Sequence, residues 1–94
     1  MSARASPLFS LGRVVATPGA LVLLAQTDTD LVRLLGRHLS GDWGDVPPED
    51  AKENELSVKE GFRILSSYPI GEERLWVITE ADRSVTTIIR PDEY

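Results

Sequence analysis

The chain reads as an α+β domain: two to three short helices packed on a three-stranded antiparallel meander, with a fourth short strand near the N-terminus as the alternative count. Two observations predict this. Leucines recur at helical spacing in the first half, and after Phe62 the apolar period changes to two. Gly41, Pro47, Gly61 and Gly71 fall at the ends of runs, which marks where elements stop and start.

Residues 1–7 are small and polar and are expected to form a disordered tail, which leaves 8–94 as a single domain. "LFSLGRVVA" mixes β-branched and apolar residues and suits a short strand. Thr17-Pro18 is a helix start, with Thr as N-cap and Pro in the first helical position, and Leu21, Leu23 and Leu24 follow. "TDTDLVRLLGRHLSG" is the clearest helix. Thr27 or Asp28 is the expected cap, with acids in the first turn. Leu31, Leu34, Leu35 and Leu39 share one face, and Gly41 takes the left-handed position that closes the helix.

"PPEDAKENELSVKEG" gives a third helix, begun by Pro47 or Pro48 and ended by Gly61, with a thin apolar face of Ala51, Leu56, Val58 and Phe62. "RILSSYPI", "RLWVITE" and "SVTTIIR" are strands joined by short turns. "LWVIT" is apolar on both faces, as a central strand requires. Pro69 cannot donate to a ladder and so places its run at an edge. The helices are expected to cover one face of the sheet.

Ninety-four residues make one domain with one modest core. There is no cysteine, hence no disulfide and no thiol nucleophile or zinc ligand. The longest apolar stretch, "VVATPGALVLLA", is too short to span a bilayer and is broken by Pro18 and Gly19. A cytoplasmic protein without a leader is expected. The net charge of −5 is uneven: +2 over residues 1–41, −5 over 42–60 and −2 over 61–94. That excludes the basic footprint of a nucleic-acid binder, and it suits a face that repels nucleic acid or occupies a partner's basic groove.

Two polar clusters are candidates for chemistry. "RHLSGDWGD" holds the single histidine. His38 is placed for general-base work if Asp42 or Asp45 orients its ring. Its structural alternative is a packed helix-end histidine bonding a loop carbonyl. Asp42 and Asp45 serve equally as acceptors for loop N–H groups, with Asp45 helping to cap the third helix. Trp43 either plugs the gap between helix and sheet or anchors a protein partner. "TEADRS" offers Glu80, Asp82 and Arg83, either as a carboxylate pair with an anion clamp or as a hairpin turn whose Arg83 pairs with an acid. An enzyme needs the two clusters to meet. No metal-ligand spacing, phosphate loop or serine-nucleophile motif appears, so no metal and no cofactor is expected.

"FSLGRVVATPGAL", "RHLSGDWGD", "NELSVKEGFRILSSY" and "LWVITEADRSVTTIIRPDEY" together resemble a family of short, uncharacterised bacterial proteins labelled plasmid-related. These are proteins of plasmids and integrated mobile elements, some labelled as type I restriction subunits. The resemblance covers roughly residues 8–94. It implies a mobile-element setting and brings no catalytic residues with it.

The leading expectation is a small non-enzymatic acidic interaction protein of a mobile genetic element, an inhibitor of host nucleic-acid defence of the anti-restriction or anti-CRISPR type. Its partner would be a protein, for instance a nucleic-acid-binding host complex, met by Asp50, Glu53, Glu55 and Glu60 with Trp43 as apolar anchor. No direct nucleic-acid or membrane contact is expected. The alternatives are a small hydrolase or nuclease using His38, Asp42, Glu80 and Asp82, and an accessory or scaffold subunit that dimerises through an exposed sheet edge.

Overall fold

The computed structural model describes residues 6–94; residues 1–5, and with them most of the expected tail, lie outside the described residues. The elements run β1 (Arg13–Ala16), α1 (Pro18–Gln26), α2 (Leu31–Leu39), α3 (Pro48–Glu60), β2 (Ile64–Ile70), β3 (Glu73–Thr79) and β4 (Val85–Ile89), closed by a 3-10 turn at Pro91–Glu93. β2, β3 and β4 form the antiparallel meander. The N-terminal β1 completes the sheet in the order β1-β4-β3-β2 and lies parallel to β4.

The helix starts follow local hydrogen bonding. Thr17 caps α1 by accepting the Ala20 N–H at 3.2 Å. The same hydroxyl donates to Glu93 Oε1 at 2.6 Å, and the Gly19 N–H donates to Glu93 Oε2 at 3.1 Å. The C-terminal turn therefore supplies the negative charge that the start of α1 favours. The cap of α2 is Asp30, which accepts the Val32 N–H at 3.0 Å, and not Thr27 or Asp28. Thr27 instead ends α1, and Asp28 sits at φ 51 in the turn between the helices. Pro48 opens α3 and Gly61, at φ 78, closes it.

α1 and α2 cover one face of the sheet. Ala20, Leu23, Leu24 and Leu34 pack there against Tyr68, Ile70, Leu75, Val77 and Ile88. Side chains alternate along each strand. The register therefore sends Leu65, Trp76, Ile78, Thr87 and Val15 to the opposite face, away from α1 and α2. There Tyr94 stacks edge-on against Trp76 with centroids 5.6 Å apart, and Tyr94 accepts a hydrogen bond from Arg63 at 2.9 Å.

α3 lies beside the sheet rather than over it, which overturns its expected apolar face. Its buried residues are Asn54 and Ser57, while Leu56 and Phe62 are exposed. The reason is the edge of β2, where backbone groups need partners more than side chains need oil. The Asn54 amide donates to the Leu65 carbonyl at 2.8 Å and accepts the Leu65 N–H at 3.2 Å. Two residues on, the Ser67 N–H donates to the Trp43 carbonyl at 2.9 Å, and the Ser67 carbonyl accepts the Asp45 N–H at 2.7 Å. The next outward residue is Pro69, which has no N–H to leave open.

Asn54→Ala removes both partners of Leu65 at once. The expected cost is about 2 kcal/mol of folding stability, since two backbone groups partly shielded by α3 lose their bonds. Urea denaturation measures it, and hydrogen exchange should show the Leu65 amide losing protection. An unchanged midpoint would rule out this role for Asn54.

Candidate functional site

His38, on the last turn of α2, is fully buried, and so are Ser66, Thr79 and Thr86 around and beyond it. Its Nδ1 lies 2.6 Å from Ser66 Oγ and its Nε2 lies 2.9 Å from Thr79 Oγ1. Thr79 Oγ1 lies 2.7 Å from Thr86 Oγ1, and Thr86 donates to the Leu11 carbonyl at 2.8 Å. That carbonyl can only accept, so it sets the direction of the whole chain of bonds. Thr86 spends its proton on Leu11, so Thr79 donates to Thr86. Nε2–H of His38 then donates to Thr79, and Nδ1 accepts from Ser66. The neutral Nε2–H tautomer satisfies every group in the row. Burial and the nearby Arg83 charge push the His38 pKa down to about 4. Phe9 and Trp43 pack edge-on against the ring, at 5.1 and 6.0 Å between centroids.

A serine hydroxyl donating to an imidazole that a third group orients is the arrangement of an activated nucleophile. Here all the members are sealed from solvent, so no substrate reaches Ser66. No hydrogen bond joins His38 to a carboxylate either, because both ring nitrogens are taken by hydroxyls, and these replace the expected loop carbonyl.

The carboxylates of the hydrolase alternative are engaged elsewhere. Asp42 is held by Arg37 at 2.7 and 3.3 Å and accepts the Gly44 N–H at 3.2 Å. The Arg37 hydrogen bond holds the Asp42 carboxyl below the usual range. Glu80 follows Thr79 at the end of β3, so its side chain leaves the other face of the sheet, where Arg63 lies 3.4 Å away. Asp82 accepts the Ser84 N–H at 3.0 Å, as a turn aspartate does. The sheet thus separates Glu80 from His38, and the hydrogen bonds do not assemble the two clusters into one site.

Three expectations are corrected in the same region. Asp45 does not cap α3, whose N-cap is Pro47; its side chain lies 3.2 Å from Arg74. Among the described residues, Arg83 pairs with no acid. At φ 61 it reaches back to donate to the carbonyls of Phe62, Glu80 and Ser57 at 2.7, 3.2 and 2.8 Å, which fastens the end of α3 to the β3–β4 turn. Trp43 is 5% exposed, so its ring belongs to the interior and does not serve as an exposed anchor. The burial is possible because its indole N–H finds Glu55 at 3.0 Å.

The acids named from the sequence are all exposed, although Glu55 also bonds the buried Trp43 indole. Asp50, Glu53, Glu55 and Glu60 are exposed, as is Glu49. Among the described residues, none of these five takes part in an ion pair. At 100° per residue, Glu49, Glu53, Leu56 and Glu60 fall on one line along the helix, away from Asn54. Leu56, 44% exposed, is the apolar side chain in that line, the position Trp43 was expected to fill.

Sequence reasoning missed the hydroxyl row and the Asn54 clamp. A signal for the first was present. Ser66 alternates with Ile64, Tyr68 and Ile70, so a small polar group sits on an otherwise apolar face and calls for a buried partner.

Among the described residues, no group of three or more His, Asp or Glu side chains is placed to hold a metal ion, and no helix is long and apolar enough to cross a membrane. A shallow cleft of about 480 Å³ lies at the far end of the sheet, lined by Glu72, Glu73, Arg74, Trp76, Arg90, Pro91 and Asp92. Its arginines are already paired, Arg74 with Asp45, and Arg90 with Glu73 and Asp92. No family model, no curated protein and no solved structure matches the chain.

Proposed function

We propose that the protein is a non-enzymatic interaction module that presents the outer face of α3 to a positively charged groove on a protein partner. The observation that carries this reading is the line Glu49, Glu53, Leu56 and Glu60, whose acids are exposed and outside any ion pair among the described residues. The helix behind it is fastened at three points: Asn54 to Leu65, Glu55 to Trp43, and Arg83 to the Ser57 carbonyl. A ridge held this way meets a partner with little further loss of freedom. Carboxylates on a rigid helix can take the place of phosphates in a groove lined with Lys and Arg, and long-range attraction speeds the encounter. The resemblance to mobile-element proteins supports a host nucleic-acid defence complex, of the restriction or CRISPR type, as owner of that groove.

The test combines affinity capture from host lysate with charge reversal. Glu53→Lys with Glu60→Lys should leave the fold intact and weaken the captured complex by at least about tenfold, with wild-type binding falling as salt rises. Leu56→Asp should weaken it as well. Capture that survives both changes at full strength would remove α3 from the interface.

A further inference from the structure

The two edges of the sheet are built differently, and the difference points to a second interface. The β2 edge is closed by Asn54, by the Trp43–Asp45 loop and by Pro69. Among the described residues, nothing covers the β1 edge in this way. The Arg13 and Thr17 N–H groups donate to the Ser84 and Ile88 carbonyls, each at 3.0 Å. This turns the odd residues of β1 toward β4, and the N–H and C=O groups of Val14 and Ala16 outward. Val14 is 40% exposed.

We infer that β1 is a self-pairing strand through which two copies of this chain join, antiparallel, into one continuous sheet. The occupant is a second copy because the edge is complementary to itself. Outward groups at positions 14 and 16 select one register, in which each Val14 exchanges both hydrogen bonds with the second copy's Ala16. The two-fold axis then passes between the two Val15 residues, a close non-hydrogen-bonded pair on the face away from α1 and α2. In the same register Arg13 falls opposite the second copy's Thr17. That threonine hydroxyl holds the Glu93 carboxylate at 2.6 Å. Arg13 and Glu93 are both exposed, and Arg13 has no carboxylate partner among the described residues. One rotation therefore brings two cations to two anions while it closes both edges, the isologous geometry of the commonest dimers. This goes beyond the reading of α3, whose acids take no part in it.

The absence of cysteine makes the test direct. In the full chain, Val15→Cys places a single thiol on the two-fold axis, where about 4.5 Å between Cα atoms suits a disulfide. Mild oxidation should convert it rapidly to a covalent dimer with an unchanged circular dichroism spectrum. Gln26→Cys, exposed on α1, should cross-link far more slowly at equal concentration. Sedimentation equilibrium of the cysteine-free protein should show a monomer–dimer equilibrium. Arg13→Glu should weaken that equilibrium by about tenfold, because like charges then face each other twice. Glu53→Lys with Glu60→Lys should leave it unchanged, which separates failure here from failure of the α3 interface. A wild-type chain that stays monomeric at millimolar concentration, or Val15→Cys cross-linking no faster than Gln26→Cys, overturns the inference.

Discussion

Lowering the pH from 7 to 5 is expected to remove about 2 kcal/mol of folding stability, with His38 as the cause. The folded-state pKa of this residue is about 4, against a reference of 6.5. Between those values the unfolded chain binds the proton and the folded chain refuses it. The stabilisation is complete above about pH 6.5 and is lost as the pH falls toward the folded value, about 3 kcal/mol in all. The geometry explains the refusal. A proton on Nδ1 would turn an acceptor into a second donor facing Ser66, and the charge would sit in a fully buried row beside Arg83. Denaturation by urea across this pH range measures the slope. His38→Ala should abolish the slope. It should also cost about 4 kcal/mol at pH 7, from the cavity and from the hydroxyls of Ser66 and Thr79 left short of a partner. Stability that is flat from pH 7 to 5 would mean that His38 is not held neutral by its surroundings.

Gly44→Ala should be comparably damaging, at about 3–4 kcal/mol. Gly44 sits at φ +76 in the loop that closes the β2 edge, and an added Cβ would land on the Ser67 carbonyl, 2.6 Å from Tyr68 Cδ1. Neither neighbour can yield. The Ser67 carbonyl is fixed by the Asp45 N–H, and Tyr68 is fully buried with its hydroxyl on the Asp42 carbonyl at 2.6 Å. Gly61→Ala provides the comparison. Its φ is +78, but nothing lies within 4 Å of the new Cβ, so only the backbone term of about 1 kcal/mol should appear. Equal losses at the two positions would show that the close approach at Ser67 contributes nothing.

Much of the architecture was legible because it is written in short-range pattern. The leucines of α2, the period-two runs and Pro69 place the helix, the meander and its edge from neighbours a few residues apart. What was not legible depends on contacts between distant parts. The parallel pairing of β1 with β4 brings Arg13 beside Val85 and leaves no local trace beyond β-branched residues. In "TDTD" all four side chains can cap, and the choice of Asp30 depends on where α1 ends. The buried side of α3 defied hydrophobic reasoning because its work is hydrogen bonding: Pro69 marks the edge strand, but nothing in the sequence says that Asn54 is the residue that meets it. Of the candidate site residues, the exposure of the α3 acids followed from composition. The burial of Trp43 was one of the two readings the sequence offered; what it could not supply was the partner, Glu55, which meets the indole from across a loop.

The sealing of His38 has a consequence for the molecule as a polyelectrolyte. Histidine is the side chain that ordinarily gives a protein its buffering capacity near neutrality, the chain has one, and the fold moves it to about 4. The folded protein therefore takes up few protons through its side chains as the medium drifts around neutral pH, and its charge of −5 varies little there. Electrostatic contacts made by such a surface respond to ionic strength and hardly to mild acidification. A pH-jump and a salt-jump applied to the same complex would thus give opposite answers, one nearly silent and the other large.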